Sequence, residues 1–217
     1  MKLLYGLIGL SPWLSKYYNM KAFYIIAGVG FIILMIQSYK LVSSNLKTEN
    51  QKYRLVQKEA QFEIRFYPAA TFAKIYSPGT NYKSVASSGF NKLAGYIFGG
   101  NDQNKRIAMT APVRMEIGNT GSTMSFVMPE KYQESDLPKP KDSGVHIVKS
   151  SPQYVAVIRF GGYADDEKIK AKRDELLQIM VQKGIKVAGE YSFLGYNAPF
   201  QFWGRKNEVV IPIEWKE

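Results

Sequence analysis

Cysteine is absent from this chain of 217 residues, which removes disulfides, thiolate nucleophiles, iron–sulfur ligation and cysteine–zinc sites together. Histidine is nearly absent: His146 is the only one, so neither a His-rich metal site nor a Cys-His pair can be assembled. The patterns G-x-S-x-G, H-E-x-x-H and G-x-x-x-x-G-K-[ST] are missing as well, which excludes the local signatures of α/β-hydrolases, zinc proteases and P-loop enzymes. Long runs of basic residues are also lacking. The formal net charge of +11 is scattered: six lysines face one glutamate up to residue 52, and 23 basic face 17 acidic residues beyond it. No nucleic-acid partner is expected from so diffuse an excess. A mildly basic surface suits anionic headgroups or an acidic ligand instead.

What is present begins with an apolar block. Ala22 to Ile36 carries no charge and extends through Gln37, Ser38 and Tyr39 between Lys21 and Lys40. Its 18 residues reach the short end of what a bilayer core of about 30 Å requires. A buried core helix would show a polar face, which this block lacks, and SYKLVSSN (Ser38 to Asn45) offers a signal peptidase only weak sites. The expectation is an uncleaved, single-pass transmembrane helix over about 22–39, with membrane lipid as its partner. Leu3 to Leu14, interrupted by Gly6, Gly9 and Pro12, reads as interfacial. Lysines on both sides leave orientation open, and with it the side on which the remainder lies. Residues 1–50 are thus expected to be anchor and linker, and residues 51–217 one globular domain.

That domain contains a long-period repeat. FAKIYSPG (Phe72 to Gly79), APV (Ala111 to Val113) and FVMP (Phe126 to Pro129) are followed by VAVIRFGG (Val155 to Gly162), NAPF (Asn197 to Phe200) and VVIP (Val209 to Pro212). The offsets are 83, 87 and 83 residues, too long for a solenoid and suited to a duplicated supersecondary unit. Between Asn81 and Phe98, apolar residues recur at three- and four-residue spacing, so a helix is expected there, stopped by Gly99-Gly100. A second helix starts at Asp165 or Asp166, buries Ile169, Leu176, Leu177 and Met180, and ends at Lys183-Gly184. Alternating runs between them predict strands. The expected fold is α+β: a duplicated, pseudo-twofold unit forming a distorted antiparallel β-barrel flanked by two helices.

The first helix carries a candidate site. Lys83, Ser87, Phe90 and Ala94 fall on one flank of the helical wheel, beside the core face. Either Phe90 simply widens the buried stripe, or the flank is a groove for a planar apolar acid. In the second case small residues admit the plane, Phe90 stacks, and Lys83, Lys92 or Arg106 meets the acid groups.

Six segments in order, RIAMTAPVRMEI (Arg106 to Ile117), MSFVMPEKY (Met124 to Tyr132), LPKPKD (Leu137 to Asp142), VIRFGGYA (Val157 to Ala164), GYNAP (Gly195 to Pro199) and RKNEVVIPI (Arg205 to Ile213), resemble the SOUL haem-binding protein family. The resemblance covers roughly Lys52 to Glu217. It implies a distorted β-barrel with two flanking helices and binding of haem or another porphyrin in a shallow groove beside the first helix.

No strong axial ligand is expected. Alternation puts His146 on the face opposite Val145 and Ile147, far in sequence from the helix. Met109, Met115, Met124 and Met128 read as core, and Tyr82 and Tyr96 fall on the helix's core side. Catalytic and metal-binding residues are therefore expected to be none. The competing class is a hydrolase or a binding domain for another small planar hydrophobic molecule, with Glu116 or Glu190 as a buried base.

Overall fold

The computed structural model describes residues 20–36 and 48–216, in two compact units divided between Lys47 and Thr48. In the first, helix α1 covers residues 20–36 and all of its side chains are exposed, Phe23, Ile26 and Phe31 included. Among the described residues no helix is long and apolar enough to cross a membrane. At 1.5 Å per residue α1 measures about 25 Å against a hydrocarbon core of about 30 Å. Of the expected span of 22–39, residues 22–36 fall within α1; residues 37–39 and Leu3 to Leu14 lie outside the described residues.

The second unit runs β1 (Glu49–Asn50), β2 (Arg54–Lys58), β3 (Glu63–Tyr67), β4 (Thr71–Ser77), α2 (Tyr82–Ile97), β5 (Thr110–Ala111), β6 (Val113–Ile117), β7 (Ser122–Val127), a 3-10 turn (Glu134–Asp136), β8 (Val145–Lys149), β9 (Gln153–Phe160), α3 (Asp166–Gln182), β10 (Ser192–Gly195) and β11 (Asn207–Ile213). Nine strands form one sheet in the order β2-β3-β9-β11-β10-β6-β7-β4-β8, and β1 pairs with β5 separately. Every neighbouring pair in the large sheet is antiparallel. The sheet curls but does not close, because β2 and β8 end it without pairing to each other. It is a half-barrel rather than the expected barrel, and β2, largely exposed and bulged between Leu55 and Gln57, is built as an edge.

Duplication is visible in that order. From the β10/β6 seam outward, one side reads β11, β9, β3 and the other β7, β4, β8 with β6 opposite β10, so β4-α2-β6-β7 mirrors β9-α3-β10-β11. Helix α2 packs on β4, β7 and β8, and α3 on β9 and β11. The sequence landmarks correspond less well than the strands do. Ala111 precedes β6 whereas Ala198 follows β10, so these two alanines are not equivalent. Phe72 faces Val127 while Val155 faces Pro212, a slip of two residues against a constant offset, which preserves the side-chain face because strand periodicity is two.

Caps explain where the helices begin. The Asn81 side chain accepts from the Ser84 N–H at 2.8 Å, and Asp165 accepts from the Lys168 N–H at 2.8 Å, each satisfying an amide that the first turn leaves free. Gly99 and Gly184, at φ +116° and +68°, follow the two helix ends. Asp166 works across the duplication: its carboxylate accepts from the Tyr82 N–H at 2.5 Å and the Lys83 N–H at 3.4 Å. One helix start therefore caps the other, and the negative charge opposes the α2 dipole. Replacing Asp166 by alanine is expected to cost about 1–2 kcal/mol in denaturant unfolding, with Asp166→Asn recovering part of it.

The main core lies between the helices and one face of the sheet, built from Val85, Leu93 and Ile97 of α2, Ile169, Leu176, Ile179 and Met180 of α3, and Ile64, Ile75, Met115, Phe126, Phe193 and Val209 of the strands. Ile179 joins the stripe expected for α3, while Leu177 is only partly buried. A smaller cluster of Tyr67, Val155, Val157, Leu194 and Val210 occupies the other face.

Candidate functional site

Two regions concentrate chemistry: the solvent flank of α2, and the sheet face turned away from the helices. On the flank, Lys83 and Ser87 are exposed, Phe90 is half-buried and Ala94 is buried. The Phe90 ring stands edge-on to Phe126 at 5.3 Å, so one side is held by the core. Helical spacing aligns these four residues in a strip with Ala94 as its floor. Lys92 is exposed, but it stands two residues from Phe90 and emerges about 200° around the helix. Arg106 is exposed beyond the helix end, just before Ile107, whose amide bonds the Ile97 carbonyl at 2.8 Å. The strip thus gathers four of the six expected residues.

Side chains that could ligate a metal from above this strip are engaged elsewhere. Tyr82 packs edge-on to Phe193 at 5.3 Å. Tyr96 is buried and donates to the Pro138 carbonyl at 3.0 Å, and burial raises its hydroxyl to about 12. Met115, Met124 and Met128 are buried in the core. His146 is exposed on β8, on the sheet face away from α2. Among the described residues no group of three or more His, Cys, Asp or Glu could hold a metal ion.

The opposite face contains buried charges. Arg65 is fully buried; its Nη1 and Nη2 donate to the two oxygens of buried Glu208, both at 2.9 Å, and its Nε donates to Glu63 at 2.8 Å. Glu208 also accepts from Arg159 Nε at 3.1 Å and the Tyr196 hydroxyl at 2.7 Å, and pairs with Lys206 Nζ at 3.3 Å. Arg159 Nη2 reaches Glu63 at 3.0 Å, tying the network together. Burial alone would raise the Glu208 carboxyl, but the hydrogen bonds and charge of Arg65, with Tyr196 and Lys206, hold it below its ordinary range. Burial and the neighbouring Glu208 raise the Tyr196 hydroxyl. Neither α2 nor α3 packs on this face, so the sheet buries these groups by curling over them.

Neither proposed base is buried. Glu116 is half-buried and pairs with Lys74 at 3.6 Å, and Glu190 is exposed. Glu208 is the most buried carboxylate, but a general base at neutral pH needs a raised pKa and a free oxygen. Glu208 has neither. Sequence reading missed Arg65, Arg114 and Glu208; the available signal was charge within otherwise apolar strands, Glu63 and Arg65 in EIRFY, Arg114 and Glu116 in VRMEI, and Glu208 in NEVVIPI.

Comparison with known proteins settles the family. The profile described as SOUL heme-binding protein matches residues 48–212. The chain belongs to the SOUL haem-binding protein family. Within this family, heme-binding protein 2 of Mus musculus is 33% identical over 159 residues, covering 69% of this chain and 77% of the relative. The Homo sapiens protein of that name is 32% identical over the same shares. Among solved structures, the C-terminal domain of EcmrR aligns with TM-score 0.51 at 11% identity, covering 72% of this chain and 98% of that one. A hydrolase from Listeria innocua aligns with TM-score 0.51 at 13% identity, over 77% of this chain and all of the other. These last two similarities concern the fold alone. The family match begins at Thr48, where the second compact unit begins, so this SOUL domain and the unit with its own core coincide.

Proposed function

We propose that this SOUL domain binds haem, or a tetrapyrrole of the same planar, carboxylate-bearing chemistry, against the strip Lys83, Ser87, Phe90 and Ala94. Family membership supports the ligand class, and the observation that carries the location is the half-exposed Phe90 ring braced against Phe126. A ring fixed on one side and open on the other can stack on a macrocycle without losing side-chain entropy on binding. Ser87 and Ala94 are small enough to let the plane approach. Lys83 meets one acid group, while Lys92, on the far side of the helix, and Arg106, beyond its end, lie off the strip. Since Tyr82, Tyr96 and His146 are placed elsewhere, contact is through the face and the propionates, with iron contributing little. The segment 22–39 is proposed to hold the domain at a membrane.

Titrating the unit from Thr48 onward with haemin and with metal-free protoporphyrin tests this reading by absorbance and intrinsic fluorescence. Saturable binding of both, with affinities within about tenfold, is expected. Phe90→Ala and Lys83→Glu should each weaken it by about 1–2 kcal/mol. No saturable change for either ligand overturns the reading, and strong preference for the iron form overturns the absence of an axial ligand.

A further inference from the structure

The polar face of the curled sheet contains, among the described residues, one buried charge outside the Arg65–Glu208 network. Arg114, 6% exposed on central strand β6, has Nε and Nη2 buried with no hydrogen-bond partner. Ser125, directly opposite on β7 and fully buried, has an unpartnered Oγ. These are donors of one kind in one place. Nε and Nη2 form the guanidinium edge whose two parallel N–H vectors match the oxygens of a carboxylate. Aromatic rings stand on either side, Tyr67 at 5.9 Å and Phe72 at 5.8 Å from the guanidinium carbon.

Neighbouring anions do not fill this edge. Glu208 is saturated by Arg65, Arg159, Lys206 and Tyr196. Glu116 lies two residues along the same strand face and is paired to Lys74 at 3.6 Å. A buried cation lacking a partner is unfavourable, and burial pushes the Arg114 guanidinium below its ordinary range, with Tyr67, Glu116 and Tyr196 partly countering. The strand registers place Leu194, Arg114, Ser125, Lys74 and His146 in one row across β10, β6, β7, β4 and β8. Neighbours in such a row are about 5 Å apart. The row leads from the buried guanidinium through half-buried Lys74 to exposed His146 at the sheet edge. Val127, the next residue after Ser125 on this face, lines a recess of about 250 Å³ bounded by Glu49, Lys52, Thr71 and Lys149.

We propose that Arg114 and Ser125 form a second binding site, for the carboxylate of a small organic acid, on the sheet face away from α2. It takes the acid side-on at Nε and Nη2 of Arg114, with Ser125 Oγ donating a third hydrogen bond and Lys74 supplying charge along the approach. The site is independent of the tetrapyrrole strip, because β6 and β7 present Arg114 and Ser125 to one face and Met115 and Phe126 to the other.

The full-length chain in detergent micelles, labelled with 15N-arginine, tests this through the Arg114 side-chain 1Hε–15Nε resonance during titration with sodium acetate and sodium benzoate. A saturable downfield shift is expected, unchanged in Lys83→Glu. Uniformly 15N-labelled Arg114→Lys, followed through backbone amides of β6 and β7, should weaken binding at least tenfold because an ammonium cannot offer two parallel donors. Ser125→Ala should weaken it about threefold to tenfold. No saturable shift overturns the proposal, as does an equal response to sodium chloride or inorganic phosphate at matched ionic strength. If Arg114→Lys does not fold, Ser125→Ala and Lys74→Met decide the matter, and unchanged affinity in both rejects it. Loss of haemin binding with the carboxylate response intact would reject the tetrapyrrole strip alone.

Discussion

Replacing Glu208 by alanine is expected to destabilise the SOUL domain by about 3–5 kcal/mol in denaturant unfolding, because it leaves the fully buried Arg65 guanidinium without its bidentate partner. Arg65→Met should cost a similar amount by stranding the carboxylate. The double variant Arg65→Met/Glu208→Leu should lose much less than the sum, giving a coupling of several kcal/mol. Additive losses would show that the pair does not act as a unit. The same network sets an acid limit. The folded Glu208 carboxyl is held below its unfolded value of 4.5, so its contribution is fully present above that pH and is lost as pH falls through the folded value. As pH falls below 4.5 the native protein should lose stability more steeply than Glu208→Gln, which has no proton to gain there.

Phe126→Ala should produce the second large loss, about 3–5 kcal/mol. Phe126 is 2% exposed on β7 and supports Phe90 of α2 edge-on at 5.3 Å. Truncation removes burial, leaves a cavity and frees the Phe90 ring. Thermal unfolding measures the first effect. Haemin titration at a temperature where the variant remains folded measures the second: affinity should fall by about threefold to tenfold, as stacking on an unsupported ring loses side-chain entropy. Phe126→Leu, which keeps more of the volume, should recover most of the stability and less of the affinity.

How much was legible beforehand depended on periodicity. Helix α2 was expected between Asn81 and Phe98 and spans Tyr82–Ile97, because a capping asparagine, a three- and four-residue apolar rhythm and a glycine stop all agree. The short strands β1 and β2 were missed: two or five residues with little burial carry too weak an alternation to register. A distorted barrel was anticipated, and a half-barrel found, because closure depends on whether β2 and β8 meet, and no local pattern encodes the pairing of strands at opposite ends of a sheet. Four of the six candidate residues share a strip because helical geometry alone groups them. Lys92 and Arg106 do not join it, since cations selected by proximity in sequence are scattered by the helical turn and by the end of the helix.

The chain's own residues determined the family, the two capped helices, the duplication and the absence of cysteine and histidine chemistry, all of which follow from local spacing, composition or ordered motifs. Only the tertiary structure decided which charges are buried. Glu63, Arg65, Arg114 and Glu208 occupy alternate positions that look solvent-facing along each strand, and become interior when the sheet curls over its second face. Curvature belongs to the whole sheet, so the pairing of Arg65 with Glu208, 143 residues apart, and the unpaired edge of Arg114 exist only once every strand has found its neighbour.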